Sequence, residues 1–242
     1  MAISSETLFH FTPKLEYLFQ ILELNFRPRY YPEIIKLRGL KEDFYRAIPI
    51  VCFCDIPLSQ TKNHIDTYGH YGMGMSKSWA VKNKLNPVLY IEPNSKLTES
   101  IISLLKKRSP NSDERKEGIY NLFRYMKNYK GEFIRNGKTI KNVKFYNERE
   151  WRYLPDANPD IEFWLKKDVF IKPIDLDDHN WKAAAQSLEF QPEDIKYIII
   201  KDETEIPTMI RTLKNIKSKY PNDVIEKLVS RIITTEQINK DF

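Results

Sequence analysis

Glu148 and Glu150 stand two residues apart in KFYNEREWRYLP, residues 144–155, with Arg152 two further on. Side chains alternate across an extended strand, so these three are expected on one face and Trp151 and Tyr153 on the other. Two carboxylates beside a guanidinium admit two readings. They form the solvated charged face of a half-exposed strand, or they wall a polar pocket in which a fixed carboxylate stabilises a developing positive charge. In either case the aromatic pair is expected to anchor the strand against a core.

Other residues with chemical potential lie earlier in the chain. His10 interrupts the apolar run LFHFT, where an imidazole is either a satisfied core group or a ligand-facing one. Three of the seven glycines, Gly69, Gly72 and Gly74, fall within YGHYGMGM, interleaved with Tyr68, His70 and Tyr71. Glycine is justified by positive φ or by close approach of another group, so something is expected to pass near this backbone. The readings are a tight aromatic turn or, more weakly, a phosphate-cradling loop without a complete fingerprint. Arg27 and Arg29, with proline between them, could present two guanidiniums to an anion or pair on the surface.

These groups need elements to position them. TLFHF, residues 7–11, reads as a strand, and Thr12-Pro13 as an N-cap with proline at the first position of a helix carrying Leu15, Leu18, Phe19, Leu22 and Phe26. FRPRYYPEI reads as irregular, IPIVCFCDIP as a buried strand, and LSQTKNHIDTYGHYG as a short helix entering a turn. Further strands are expected at 72–79, 86–93, 168–174, 195–202 and 230–238, and helices at 205–220 and 222–229. Residues 96–128 read as helix interrupted at RSPNSDE, and the stretch before KFYNEREWRYLP as a hairpin turning at Asn136-Gly137. The class is α+β with a strand-rich centre and flanking helices. PDANPD, residues 155–160, is the best boundary candidate, although the strands after it could complete the same sheet.

Composition sets outer limits. The chain has 242 residues, 41% of them hydrophobic and 13% aromatic, enough for a ring-rich globular core. No apolar run is long enough to cross a bilayer and the N-terminus lacks a signal layout, so a soluble cytoplasmic protein is expected. Cys52 and Cys54 share a face of one strand and are poorly placed for a mutual disulfide. Neither they nor the four histidines show zinc spacing, and no metal is expected. The net charge of +6, densest in lysine over 102–149, permits a polyanionic partner.

Taken in order, LFHFT, LEYLFQILELNFRPRYY, IPIVCFCDIPLSQTKNHIDTYGHYGMGMSK, NPVLYI and YNEREWRYLP resemble the AbiGi-type abortive-infection proteins of bacterial anti-phage systems. The same layout is similar to ADP-ribosyltransferases, which order a histidine, a tyrosine and a glutamate along their core strands. That similarity implies a transferase-like core over 1–155, with the strands and helices of 156–242 in the same domain. It also implies an NAD site. His10 would bond a ribose, Tyr68 or Tyr71 would pack on nicotinamide, Glu150 would be the catalytic carboxylate and Glu148 would orient the acceptor. Thr12, Arg27, Arg29 and Arg152 would complete the cofactor side. A fixed carboxylate suits that chemistry, because breaking the nicotinamide–ribose bond builds an oxocarbenium-like cation. The function so implied is an NAD-dependent toxin modifying a macromolecule, possible nucleic acid included. The alternative is a non-catalytic antitoxin or regulatory partner of a toxin encoded nearby.

Overall fold

The computed structural model describes residues 5–106, 113–135 and 138–241. In chain order the elements begin with β1 (Thr7–Thr12), α1 (Leu15–Leu24), β2 (Arg29–Ile35), β3 (Phe44–Cys54), α2 (Lys62–Tyr68), β4 (Tyr71–Ser76) and α3 (Lys77–Lys82). The middle of the chain supplies β5 (Asn86–Pro87), β6 (Leu89–Ile91), α4 (Lys96–Lys106), α5 (Asp113–Arg124), β7 (Met126–Asn128), β8 (Gly131–Arg135), β9 (Lys138–Val143) and β10 (Glu150–Tyr153). It ends with β11 (Leu165–Lys166), α6 (Lys167–Phe170), α7 (Pro173–Ala183), β12 (Ile195–Ile200), α8 (Ile206–Ile216), α9 (Asn222–Val229), β13 (Ile232–Thr234) and α10 (Thr235–Asp241). The fold is mixed α+β.

The chain divides into two compact units interleaved along the sequence. One comprises residues 1–27, 52–85 and 187–242, the other 28–51 and 86–186. These lines differ from the segments 1–155 and 156–242 read from the sequence.

The first unit is built on the strand order β13-β12-β4-β1, with Phe9 of β1 also facing Cys54 at the end of β3. β12 runs antiparallel to β4 and parallel to β13, so strands on both sides of residue 155 do complete one sheet. Phe9, Ile56, Ile65, Ile199 and Ile238 form its core. In the second unit β2 and β11 both pair with β3 at Ala47, and β6–β7, β8–β9 and β10–β5 form further pairs. One apolar cluster there gathers Ile35, Ile91, Ile101, Phe123 and Met126, and another Tyr30, Leu165 and Phe170.

Several elements depart from the sequence reading for local physical reasons. FRPRYYPEI carries β2, where Pro32 is tolerated because, among the described residues, this strand pairs with β3 alone. Residues 168–174 are not a strand: α6 ends at Phe170, and Pro173 opens α7 in the first turn, where an N–H has no intrahelical partner. The expected strand at 72–79 stops at Ser76, whose hydroxyl accepts the Trp79 N–H and starts α3. That at 230–238 turns to helix after Thr234, which exchanges hydrogen bonds with Gln237 in both directions. Thr12 is not an N-cap; it stays in the β1–β4 ladder opposite Tyr71, and α1 starts at Leu15. β8 and β9 pair antiparallel as a hairpin, while its expected Asn136-Gly137 turn and most of RSPNSDE lie outside the described residues.

Candidate functional site

The stretch 144–155 is not one continuous strand. Phe145–Glu148 forms a turn of 3-10 helix and Arg149 takes a left-handed conformation, φ 44°, so β10 begins only at Glu150. The expected faces are also reversed. Glu150 and Arg152 are buried, Arg152 completely, whereas Trp151 and Tyr153 are half-buried. Charges can take the inner face because other segments of the second unit bring the opposite charges to meet them.

Lys127 of β7 supplies the first. Its ammonium lies 2.8 Å from Glu148 Oε2 and 2.6 Å from Glu150 Oε2. Arg152 donates from Nε to Glu150 Oε1 at 2.6 Å, from one terminal nitrogen to Glu33 Oε1 at 2.7 Å, and from the other to the Arg124 carbonyl at 2.7 Å. Each oxygen of Glu150 is therefore engaged by a cation. Its backbone N–H donates to the Tyr90 hydroxyl at 2.8 Å, and its carbonyl accepts from the Val88 N–H. Arg124, also buried, donates to the Pro155 carbonyl and to Asn121 Oδ1, tying α5 to the end of the stretch.

Three carboxylates meet two cations in this cluster, and the balance shows in their acidities. Burial, partly offset by Arg152 and Lys127, pushes Glu33 above the usual carboxylate range. Burial alone would lower Lys127, but Glu150, Glu148 and Glu33 outweigh it and hold the ammonium well above its ordinary value. Burial pushes the Tyr90 hydroxyl up. Burial lowers the Arg124 guanidinium to about 10.

The remaining expected residues belong to the first unit, apart from Arg29. His10 is half-buried between Phe26 and Phe53, with ring centroids 5.3 and 5.6 Å away. Its Nδ1 lies 2.8 Å from the Cys52 carbonyl, an acceptor, so Nδ1 carries the proton. Burial, partly offset by that bond, lowers its pKa and keeps the ring neutral. The Tyr71 hydroxyl donates to Glu205 at 2.8 Å and is pushed up to about 12, by burial first and that bond second. Tyr68 packs near His64. What passes close to the glycines is the chain itself. At Gly69, φ 121°, a Cβ would stand 2.4 Å from the Thr12 carbonyl oxygen, and at Gly72 one would stand 2.6 Å from that of His10. Arg27 and Arg29 are exposed, Arg27 ending the first segment of the first unit and Arg29 opening β2 of the second.

The structure thus joins Glu148, Glu150 and Arg152 within one unit, and places His10, Thr12, Tyr68 and Tyr71 in the other. Three of the side chains expected at an NAD site make bonds within the protein: Glu150 to two cations, His10 to a carbonyl, Tyr71 to a carboxylate. Sequence reading missed Lys127 and Glu33. Lys127 was hidden in a lysine-rich stretch, and Glu33 in a segment read as irregular; alternation within β2 was the one available signal. Among the described residues no group of three or more His, Cys, Asp or Glu side chains could hold a metal ion. No helix among them is long and apolar enough to cross a membrane.

No solved structure matches the chain. The abortive phage resistance protein AbiGi of Lactococcus lactis subsp. cremoris is 30% identical over 249 aligned positions, covering 90% of this chain and 99% of that protein. The family model for AbiGi, an abortive phage resistance protein described as an antitoxin, matches residues 25–201, a span that holds every member of the charge cluster. The chain therefore belongs to the AbiGi family of abortive phage resistance proteins.

Proposed function

We propose that this chain acts in abortive phage resistance as a non-catalytic antitoxin, a protein that binds and restrains a toxin partner. The observation that carries the reading is the state of Glu150. A carboxylate that stabilises an oxocarbenium ion must face the substrate. Here one oxygen faces the fully buried Arg152 and the other the partly buried Lys127, each at 2.6 Å, so the group serves as the keystone of a structural ion network. The description of the family as an antitoxin supports the same reading.

The test is co-expression with the product of the gene beside it. Wild-type chain is expected to restore growth and to co-purify with that product, and Glu150→Gln, once shown to fold, is expected to do both. Purified chain is expected to transfer no label from NAD to protein or nucleic acid. Label transfer that Glu150→Gln abolishes would replace this reading with the ADP-ribosyltransferase one, with His10, Tyr68 or Tyr71 and Glu150 as its residues.

A further inference from the structure

A second feature of the β2, β7, β8–β9 unit lies beyond the charge cluster and is independent of the antitoxin reading. A cleft of about 450 Å³ opens beside β7 and β8, lined by Lys36, Tyr129, Lys130, Glu132 and Lys141 among others. Its frame is rigid. Buried Asn128 accepts the Lys36 N–H at 2.7 Å and donates to the Lys36 carbonyl at 3.0 Å, clamping the end of β2 to β7.

The acids at the cleft are already occupied. Glu132 lies 3.7 Å from the Lys36 ammonium, and Glu92 accepts from the backbone and side chain of Asn94. Lys130 and Lys141 are exposed, and among the described residues neither has a carboxylate within ion-pair distance. Beside these lysines stands a platform of rings. Tyr129 and Tyr146 are 37% and 45% exposed, their centroids 5.5 Å apart and their planes inclined by 36°. The Lys144 ammonium lies 5.2 Å over Tyr129. Tyr146 packs edge-on against Tyr90, whose hydroxyl accepts the Glu150 N–H, so the platform is fixed to the buried cluster.

Unpaired ammoniums next to half-exposed rings are the elements by which proteins hold single strands: phosphates lie along the cations and bases stack on the aromatics. A duplex keeps its base faces inside and offers the rings nothing, while an acidic polypeptide would use the lysines alone. We infer that this cleft binds single-stranded nucleic acid, with phosphates on Lys130 and Lys141 and a base on the Tyr129–Tyr146 platform.

The experiment is fluorescence anisotropy of a labelled uridine oligonucleotide titrated with purified full-length chain. Two phosphate contacts predict a loss of affinity of roughly sevenfold when salt rises from about 50 to about 200 mM. A Lys130→Glu, Lys141→Glu double variant, changed only at exposed positions, is expected to weaken binding at least about tenfold. Tyr129→Leu with Tyr146→Leu, checked for an unchanged near-ultraviolet spectrum, is expected to weaken it on the order of tenfold through lost stacking. Absence of binding, binding unchanged in either variant, or equal competition by duplex DNA or polyglutamate would overturn the inference.

Discussion

His10 and Glu150 are both polar side chains withdrawn from water, and they are held in opposite ways. In the first unit one carbonyl, Cys52 O, satisfies His10, and aromatic rings do the rest. In the second, Glu150 requires two cations, each shared with another acid, and the group extends to Glu33, Glu148, Lys127 and Arg152. A neutral imidazole needs one acceptor for its one proton, whereas a buried charge costs several kcal/mol until it is paired and its partners are paired in turn. A network of charges therefore behaves as a unit, and a lone histidine behaves as a point.

That contrast makes Lys127→Met the most damaging substitution. It strands Glu148 and Glu150 without their common ammonium and is expected to cost about 3–5 kcal/mol in denaturant unfolding. A double-mutant cycle with Glu150→Gln should recover part of the loss; simple additivity would mean that the cluster does not act as a unit. His10→Phe keeps the ring packing and removes one hydrogen bond, with an expected loss of about 1–2 kcal/mol. A loss as large as that of Lys127→Met would erase the distinction.

Acidity separates the two regions by sign. The His10 pKa is lowered from its ordinary 6.5, so the fold favours the neutral ring. Its contribution is complete above that value and declines as pH falls below it toward the lowered pKa. Glu33 is raised from an ordinary 4.5, so its protonated form is favoured in the fold and its contribution is lost as pH rises from there through the raised value. Glu33→Gln, which retains an oxygen for Arg152, is accordingly expected to gain stability relative to the parent as pH rises from 4.5 toward neutrality. His10→Phe should flatten the decline below 6.5. Both are read from melting temperatures across the pH range, and the same slope in both variants would contradict the assignment. The smallest effect is expected for Tyr71→Phe, which removes the bond to the half-exposed partner Glu205. About 0.5–1.5 kcal/mol is anticipated, with no change in either pH slope.

Much of the scaffold was legible without coordinates. The strand at IKYIII and the helices after Glu205 and Pro221 stand where apolar spacing puts them. The close approach required at Gly69 and Gly72 is real, though the approaching group is β1 rather than a ligand. Short apolar runs were less decisive, because four to seven such residues suit a strand or a helix equally. At Ser76 and Thr234 a local cap chose the helix, and at Pro173 a ring suited to a first helical turn did so.

The family likeness, the α+β class and the shared face of Glu150 and Arg152 were determined by the amino-acid sequence alone, because they depend on residue order and on distances of a few residues, whereas Glu148 joins them through Lys127. Which face of β10 turns inward was decided only by the tertiary structure. Strand alternation says who shares a side, but burial of that side depends on partners from elsewhere: Lys127, 23 residues before Glu150, and Glu33, 119 residues before Arg152. A row of charges is a wet surface or a dry keystone according to what the rest of the chain brings to it.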